Sequence, residues 1–414
     1  MQNNNIELNF DNTRKAFAYK NDVELKKAMF LFNIMQWGPL VKIGSLLTPF
    51  LIKSGFPIKN LIKKTIFEQF VGGESLEKTS PVCEKLDKYH VDVILDYGIE
   101  GGEYTEDIYD KATKEFIKVI DYAALRRNIP FISIKVTGIS SISLLEKLNL
   151  SIGKTGKKDI FTDFDILLSL LDESDKKDWE KLIERMKLIC GEALKTGIGV
   201  MIDAEESWIQ DPIDYIASLM MKEYNQEKTV VFNTVQLYRT DRLAFLKGSA
   251  MHAEKNNYAL GVKLVRGAYM EKETKRALKI GYTNPIQVSK KNTDNDYNLA
   301  VAFCLNHISQ IKTIVASHNE KSNLDAARFM IEKQNPKHPN LHFSQLYGMS
   351  DNLTFNLADA GFNVSKYLPF GPLEEVVPYL MRRAQENSSI SGQTTRELDL
   401  IKKECTRRSQ QKSL

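Results

Sequence analysis

Eight short β-rich apolar segments alternate with longer charged segments of helical periodicity, and this alternation limits the possible folds more than any other feature. The segments lie at 91–98, 130–138, 197–205, 230–238, 258–267, 313–319, 341–349 and 363–371. Strands separated by helix-sized segments pair in parallel, and near-continuous apolar strands indicate burial on both faces. Eight such units in about 300 residues favour a closed (β/α)8 barrel of the TIM type. An open doubly wound sheet is the alternative.

Each of these segments ends in polar or glycine-containing residues. In a barrel the strand ends meet at the C-terminal rim, where barrel enzymes place their active sites. The residues at these ends include Lys135, Asp203, Glu205, Gln236, Lys263 through Arg266, Ser317, His318 and Tyr367. We therefore expect residues that are far apart in the sequence to form one site.

The barrel is expected to occupy residues 91–395, with further segments on either side. Residues 1–90 predict a helical arm, because apolar positions repeat at helical spacing within 23–37 and 58–71. This arm is expected to pack on the barrel, with a lipid-contacting surface as the alternative. Residues 396–414 are expected to be a polar basic tail that is frayed or solvated, or that aids membrane association.

Composition excludes several classes of function. A net charge of +4 is too small to indicate a nucleic-acid partner. The four cysteines form no CxxC pair, and no metal-ligand motif occurs, so we expect no metal and a reducing compartment. No apolar run is long enough to span a bilayer, and the N-terminus lacks a signal-peptide pattern. The expected location is cytoplasmic, with possible peripheral contact at the inner face of the cell membrane.

Two nucleotide-binding signatures are missing. No GxGxxG follows a predicted strand, so the sequence does not support a Rossmann site. The segment SIGKTGKKD (151–159) does not have the glycine spacing of a phosphate-binding loop. We interpret it as an exposed basic loop.

The segment YLPFGPLEEVVPYLMRRAQEN (367–387) runs from a predicted strand end through a Gly-Pro turn into a predicted helix. Tyr379 lies three and four residues before Arg382 and Arg383, so it shares a helical face with both. Guanidinium groups suit the bidentate binding of a carboxylate or phosphate. For an isolated Arg-Arg pair, an exposed position on a solvated helix is the alternative.

Several segments, which match in order and together span most of the chain, resemble the proline dehydrogenase family. VKLVRGAYMEKE (262–273) is similar to that family's fifth-strand motif, and the 367–387 segment also matches. The other matching segments are TIFEQFVGGE (65–74), ISIKV (132–136), MIDAEE (201–206), TVQLY (234–238), ASHNE (316–320) and QLYGM (345–349).

The resemblance implies oxidation of L-proline to 1-pyrroline-5-carboxylate, the first step of proline degradation to glutamate. It implies hydride transfer to non-covalent FAD and delivery of the electrons to a membrane quinone. A separate pyrroline-5-carboxylate dehydrogenase is implied for the next step. These implications come from the family resemblance, while the residues supply a chemical reason for each position.

The resemblance assigns catalytic roles to Lys263 and Asp203. Lys263 takes the position of a cation beside the flavin N5, where positive charge stabilises the reduced flavin. Many bacterial relatives have arginine there, so this chain differs in the residue and keeps the charge. Asp203 is expected to act electrostatically by orienting Lys135 or the surrounding network.

The remaining matched positions bind substrate or cofactor. Lys135, Arg382 and Arg383 would bind the proline carboxylate, although one of the two arginines could serve a flavin phosphate instead. Tyr367, Tyr379 and Tyr269 would enclose the ring, and Tyr367 would fill the space that a ring hydroxyl needs. The implied FAD contacts are Ala204, Gln236, Val265, Arg266, Gly267, Ser317 and His318.

Three other functions remain as alternatives. A Schiff-base aldolase would use Lys135 or Lys263 as its nucleophile. A flavoenzyme that takes electrons from NADH would keep FAD but not proline. A degenerate barrel could act as a regulatory or membrane-bound scaffold.

Overall fold

The computed structural model describes residues 8–37, 59–98, 104–154, 168, 171–389 and 393–412. Within these residues, eight parallel strands form a closed barrel in sequence order, which confirms the predicted (β/α)8 fold. The strands are β1 Asp92–Tyr97, β2 Phe131–Ile134, β3 Gly199–Ile202, β4 Val231–Gln236, β5 Leu260–Val265, β6 Ile311–Ala316, β7 Leu341–Leu346 and β8 Val364–Phe370. Seven of the predicted segments contain a whole strand, and β6 overlaps the eighth, 313–319, but begins two residues before it.

Helices precede, separate and follow the strands. Those before the barrel are α1 Thr13–Ala16, α2 Asp22–Met35, α3 Lys59–Ile62, α4 Glu68–Phe70 and α5 Ser80–Asp87, with a π-helical turn at Lys63–Phe67 and a 3-10 turn at Glu77–Thr79. Those from β1 to β6 are α6 Glu106–Ala124, α7 Ile142–Lys154, α8 Glu173–Thr196, α9 Ser207–Tyr224, α10 Arg242–Lys255, α11 Met270–Ile280 and α12 Lys290–Asn306, with a 3-10 turn at Val136–Gly138. The last four are α13 Glu320–Glu332, α14 Asp351–Asp359, α15 Leu373–Ser389 and α16 Gln393–Lys412.

Capping side chains determine where several helices begin and end. Asn21 forms a reciprocal capping box with Glu24 at the start of α2, which satisfies backbone N–H groups that have no partner within the helix. Asp172 caps α8 by accepting from the Asp175 N–H, and Gly197 ends that helix with φ 78°. A positive φ at a helix C-terminus favours glycine because it has no Cβ.

The chain divides into two compact units. The first contains Met1–Gly98, His318–His338 and Phe343–Leu414, and the second contains Ile99–Ser317 and Pro339–His342. In the first unit, Phe32 of α2 and Phe70 of α4 meet edge to face, with ring centroids 6.4 Å apart. They share an apolar core with Leu380 of α15 and Ile401 of α16. In the second unit, the barrel strands β2 to β5 are almost wholly buried.

The expected frayed tail is instead a helix that packs within the first unit. Leu398 and Ile401 are buried. Arg408 donates to the carbonyl oxygens of Phe17 (2.8 Å) and Lys20 (2.9 Å). The expectation therefore missed buried apolar positions that repeat at helical spacing among the charges.

Two other expectations concern loops and membranes. The basic segment 151–159 begins in the last turn of α7, and residues 155–159 lie outside the described residues. None of the helices in the described ranges combines the length and hydrophobicity that a bilayer-spanning segment needs.

Candidate active site

A buried ion pair lies at the carboxyl ends of β3 and β5 in the second unit. Lys263 pairs with Asp203, and the two side chains are 5% and 14% exposed. Ser133 of β2 donates to the same Asp203 oxygen at 2.5 Å. Burial by itself raises the Asp203 pKa, but the charges of Lys263 and Lys135 outweigh burial, and the pKa is lowered. Asp203 is therefore held as a carboxylate, and the principal contact of this carboxylate is with Lys263.

Glu205 lies two residues further along and has a different environment. Its carboxylate accepts from the Thr137 backbone N–H at 3.1 Å and from the Thr137 hydroxyl at 2.5 Å. Burial raises the pKa of Glu205 to about 7, although Thr137 and Lys135 partly oppose that rise. Glu205 is only partly ionised near neutral pH. The positive charges of Lys135 and Lys263 therefore exceed the negative charges of Asp203 and Glu205. Such a cluster favours a ligand that carries or gains negative charge.

Gln236, at the end of β4, anchors the segment that carries both carboxylates. Its Nε2 donates to the Glu205 carbonyl oxygen at 2.7 Å. The Glu205 backbone N–H donates to Gln210 at 2.8 Å. Ala204, between Asp203 and Glu205, is buried. Gln236 thus has a structural contact that the sequence did not predict.

Arg266 and Gly267, which follow β5, are fixed by their neighbours. Arg266 donates to Asp294 and Ser317, both at 2.7 Å, and its guanidinium lies 4.3 Å from the centroid of the Tyr297 ring. Gly267 has φ 145°, and a Cβ there would lie 2.4 Å from the Tyr238 ring. Any larger residue at this position would therefore clash with Tyr238.

Two further predicted residues of the second unit flank this turn. Val265 is the last residue of β5 and is half-buried. Tyr269 is buried and is the N-cap residue directly before α11, with the Lys272 ammonium 5.3 Å from its ring centroid.

The other residues that the resemblance assigns to the substrate lie in the first unit, apart from Lys135. Tyr379 and Arg383 are buried on α15, and the guanidinium lies 5.2 Å from the Tyr379 ring centroid. This contact confirms the predicted shared face of these two residues. Arg382 and Tyr367 of β8 are half-buried. Because Arg382 is half-buried and Arg383 is buried, the two neighbouring arginines lie in different surroundings.

His318, which follows β6, is oriented by Ser350. The His318 Nδ1 and the Ser350 hydroxyl are 2.9 Å apart. Ser350 is buried and precedes α14 with φ 51°, which is uncommon for a residue other than glycine.

Two of the matching sequence segments contact each other in the first unit. Gln69 of TIFEQFVGGE donates to the Gly348 carbonyl of QLYGM at 2.7 Å. Gly348 has φ 79°, and a Cβ there would lie 2.0 Å from the Gln69 carbonyl oxygen. A side chain at Gly348 would therefore displace the segment before the barrel.

Sequence reasoning missed several residues that support the site. Ser133 lies inside the ISIKV segment and was not singled out, although inward-pointing strand positions were a usable signal. Asp294 lies on α12, and neither its position nor its spacing from Arg266 predicts the contact. Glu205 was noted at a strand end, but its raised pKa depends on burial that the sequence does not reveal.

Comparisons with known proteins give one consistent result. The family model described as "Proline dehydrogenase" matches residues 80–396. "Proline dehydrogenase 1, mitochondrial" of Dictyostelium discoideum is 34% identical over 98% of this chain and 76% of its own length. "Hydroxyproline dehydrogenase" of Xenopus laevis is 30% identical over 95% of this chain and 89% of its own.

A solved structure supports the same fold. Proline utilization A (PutA) from Bdellovibrio bacteriovorus, inactivated by N-propargylglycine, matches with a TM-score of 0.68 and 21% identity. The match covers 91% of this chain and 38% of the PutA chain, so the present chain spans about two fifths of that protein.

Proposed function

The chain belongs to the proline dehydrogenase family and is a proline dehydrogenase, and on this premise we propose that it oxidises L-proline to 1-pyrroline-5-carboxylate with non-covalent FAD. Oxidation of proline is the first step of proline catabolism. We assign the hydride acceptor role to FAD and the final electron acceptor role to a membrane quinone. A separate enzyme would oxidise the product further.

The observation that carries this proposal is the buried Lys263–Asp203 pair. The carboxylate of Asp203 pairs with Lys263, which is 4% exposed. A fixed ammonium in a dry site stabilises negative charge that develops during a reaction, because its orientation needs no further reorganisation. This chemistry suits the roles that family resemblance assigns to both residues.

The donor set of the second unit fits a flavin dinucleotide. Gly267 leaves no room for a side chain and has a φ of 145°, a geometry that allows backbone to approach a phosphate closely. Arg266 next to it provides a cation already oriented by Asp294 and Ser317. Thr234, the register partner of Lys263, has a buried hydroxyl without a hydrogen bond among the described residues. We propose these residues, with Ala204, Gln236, Val265 and His318, as the FAD contacts.

Substrate recognition in this proposal depends on positive charge and aromatic walls. Lys135, Arg382 and Arg383 would bind the carboxylate of proline, since guanidinium and ammonium groups offset the cost of removing it from water. Tyr367, Tyr379 and Tyr269 would enclose the ring. When bound, FAD supplies the two-electron acceptor.

The alternatives are less well supported. A Schiff-base lysine must be able to reach and attack a carbonyl carbon, but the Lys263 Nζ is already held by Asp203 and Ser133. A degenerate scaffold would have no reason to keep a buried ion pair and a neighbouring carboxyl with a raised pKa.

The visible spectrum of the purified protein tests the proposal directly. We expect flavin absorption bands that bleach when L-proline is added under anaerobic conditions. Bleaching by NADH and not by proline would instead favour the NADH-dependent alternative. A protein that stays colourless after flavin supplementation, or a substrate adduct trapped by borohydride, would contradict the proposal.

Tyr367 is proposed to favour proline over hydroxyproline. One relative carries the name hydroxyproline dehydrogenase, so the family includes members named for either substrate. Tyr367→Ser should raise kcat/KM for hydroxyproline relative to proline because the smaller side chain leaves room for a hydroxyl. Equal ratios in the wild type and the variant would contradict this role.

We further propose cytoplasmic location with peripheral contact at the cell membrane, where a quinone would be available. Phe30, Trp37 and Leu61 of the first unit expose 59%, 71% and 65% of their surface, and large exposed apolar side chains favour an interface. Vesicle co-sedimentation should detect binding, and Phe30→Ser with Trp37→Ser should weaken it. Unchanged binding would exclude these two residues as the contact.

A further inference from the structure

Four buried polar side chains of the second unit lie behind the strand-end segment 203–205. Gln210 and Asp214 are one helical turn apart on α9, Asn233 lies on β4, and Arg242 is the first residue of α10. All four are buried, and we call them the Asp214 network. Replacing a buried ion pair by well-packed apolar residues is often neutral or stabilising. Packing alone therefore does not account for this network.

The hydrogen bonds of the Asp214 network lead to the Glu205 backbone. The Arg242 guanidinium donates to one Asp214 oxygen at 2.5 Å. The other oxygen accepts from Gln210 Nε2 and from Asn233 Nδ2, both at 2.9 Å. The Gln210 Oε1 in turn accepts from the Glu205 N–H at 2.8 Å. Asp214 thus binds three donors, and one of them is the side chain that holds Glu205.

The donors around the two amide side chains determine how each amide is oriented. A backbone N–H only donates, so the Gln210 atom that faces Glu205 must be the oxygen, and the amide nitrogen must face Asp214. The Thr234 N–H donates to the Asn233 oxygen at 2.8 Å, which directs that amide nitrogen to Asp214 as well. A guanidinium group also only donates. Asp214 must therefore accept on both of its oxygens, and it fixes the Gln210 amide in the orientation that Glu205 needs.

The Glu205 peptide depends on side chains because it lies beyond the end of β3. The Asp203 N–H still donates to the backbone carbonyl of Ile134 on β2, at 2.8 Å. Two residues further on, side chains replace the neighbouring strand. The Glu205 N–H donates to Gln210, and its carbonyl accepts from Gln236. Since the path of this backbone sets the direction of the Asp203 and Glu205 carboxylates, the Gln210 amide contributes to the position of both.

We propose that Asp214, acting through Gln210, is a positioning residue that holds the segment 203–205 in the geometry needed for flavin reduction by proline. Asp214 orients the Gln210 amide, and this amide fixes the backbone beside the Asp203–Lys263 pair. The inference rests on the proposed function, in which Asp203 and Lys263 act at the flavin. It extends the site to α9 and α10, which lie outside all of the matching sequence segments.

Two variants of the full-length protein interrupt the network, and a third is the control. Gln210→Met keeps the length of the side chain but removes the acceptor for the Glu205 N–H. The paired variant, Asp214→Leu with Arg242→Met, removes the partner of the Gln210 amide without leaving a buried charge unpaired, so it should still fold. Asp241→Asn is the matched control, because the Asp241 carboxylate also pairs with Arg242 but its contacts in the described part of the chain are with arginines and not with Gln210.

Amide hydrogen exchange measures the positioning without bound flavin. The Glu205 N–H should exchange about tenfold faster in Gln210→Met and in the paired variant than in the wild type, the effect of losing one hydrogen bond. In Asp241→Asn the exchange rate should stay within twofold of wild type. The Val200 N–H, which donates to the Val230 carbonyl within the barrel, is the internal reference. An equal rise at Val200 would overturn the proposal, because the whole barrel would then be destabilised.

The rate constant of flavin reduction tests the consequence for the reaction. Anaerobic stopped-flow measurements at saturating proline, expressed per bound flavin, should show a ten- to hundredfold decrease in Gln210→Met and in the paired variant, since a displacement of about 1 Å can cost about a hundredfold. Asp241→Asn should stay within twofold of wild type. When Gln210→Met is added to the paired variant, the rate should equal that of Gln210→Met alone, because Asp214 acts through Gln210. Losses that multiply would overturn this order of action.

The two measurements separate failure of this inference from failure of the proposed function. If the wild-type protein reduces its flavin with proline and both network variants do so at the same rate, the proposed function stands and the positioning role is overturned. Wild-type exchange at the Glu205 N–H in both variants would also overturn it. If the wild-type protein takes up no flavin, the proposed function fails, and the role in flavin reduction fails with it. Faster exchange at Glu205 in the variants would then still show that the Asp214 network holds this peptide.

Discussion

Removal of the Asp203 charge is the perturbation whose consequence follows most directly from the structure. In Asp203→Asn, the amide can still accept from Ser133, but it cannot neutralise Lys263. The Lys263 side chain is 5% exposed, so water cannot replace the lost carboxylate. We therefore expect loss of stability together with loss of flavin reduction.

The size of the effect can be estimated. Breaking a buried ion pair by removing one partner costs about 3–5 kcal/mol. An unfolding entropy of about 2.1 cal/mol/K per residue corresponds to about 0.9 kcal/mol/K for 414 residues. The melting temperature should therefore fall by about 3–6 °C, with little dependence on added salt because the pair is buried.

A double-mutant cycle isolates the interaction. Lys263→Met should also destabilise the protein, because Asp203 is then buried with a weaker set of partners. The double variant Asp203→Asn with Lys263→Met should be more stable than the sum of the single losses predicts, by about 2 kcal/mol or more. Differential scanning calorimetry of all four proteins measures this coupling.

The pH dependence of folding stability gives an independent test of the Asp203–Lys263 pair. Asp203 has a lowered pKa in the folded protein, so its stabilising contribution is present above the unfolded-state pKa, about 4, and disappears as the pH falls. Asp203→Asn should therefore lose less stability than the wild type on acidification. Additive single losses, or an acid response equal to that of the wild type, would refute the assigned pair.

Three further predictions concern other parts of the site. If Arg382 binds the carboxylate of proline, Arg382→Met should raise the KM for proline about 30- to several-thousand-fold. If Arg383 binds a flavin phosphate, Arg383→Met should lower the flavin-to-protein absorbance ratio. A wild-type KM and a wild-type absorbance ratio in both variants would exclude both roles. The raised pKa of Glu205, about 7 against 4.5, predicts that folding stability decreases as pH rises from about 4.5 to 7; Glu205→Gln should flatten this decrease in thermal melts, and an unchanged slope would contradict it. Gly267→Ala should reduce flavin occupancy and melting temperature more than Gly281→Ala, because a Cβ at Gly267 meets the Tyr238 ring and one at Gly281 meets nothing within 4 Å; equal effects would show that the ring can move aside.

Alternation of strands and helices was enough to predict the barrel, because parallel pairing requires crossovers and burial on both strand faces. The helical spacing of Tyr379 and Arg383 likewise predicted their shared face, now seen as a ring–guanidinium contact. Both features depend on contacts between residues close in sequence or on the direction of neighbouring strands. The periodicity of apolar residues along the sequence can predict features of this kind.

Contacts between distant segments were less predictable. Asp203 was expected to orient Lys135 or the surrounding network, and its ion pair with Lys263 depends on strand register, which the sequence does not reveal. Residues after 396 looked like a solvated tail because their charges dominate the composition. Yet α16 buries Leu398 and Ile401, and it places Glu397 on Ser350. Composition averages over both faces of a helix, so it cannot reveal a buried face.

The opposite pKa shifts of Asp203 and Glu205 explain how the cluster can hold buried lysines and still favour an anionic ligand. Asp203 has a lowered pKa and pairs directly with Lys263, while Glu205, two residues away, has a pKa raised to about 7. Since Asp203 is held ionised and Glu205 only partly so near neutral pH, the cluster keeps a positive balance without leaving Lys263 unpaired. If both carboxylates were fully ionised, the charge available to an anionic ligand would be cancelled. Glu205→Gln, which removes the remaining partial negative charge, should therefore lower the Kd of an anionic ligand such as sulfite, and an unchanged Kd would contradict this account of the charge balance.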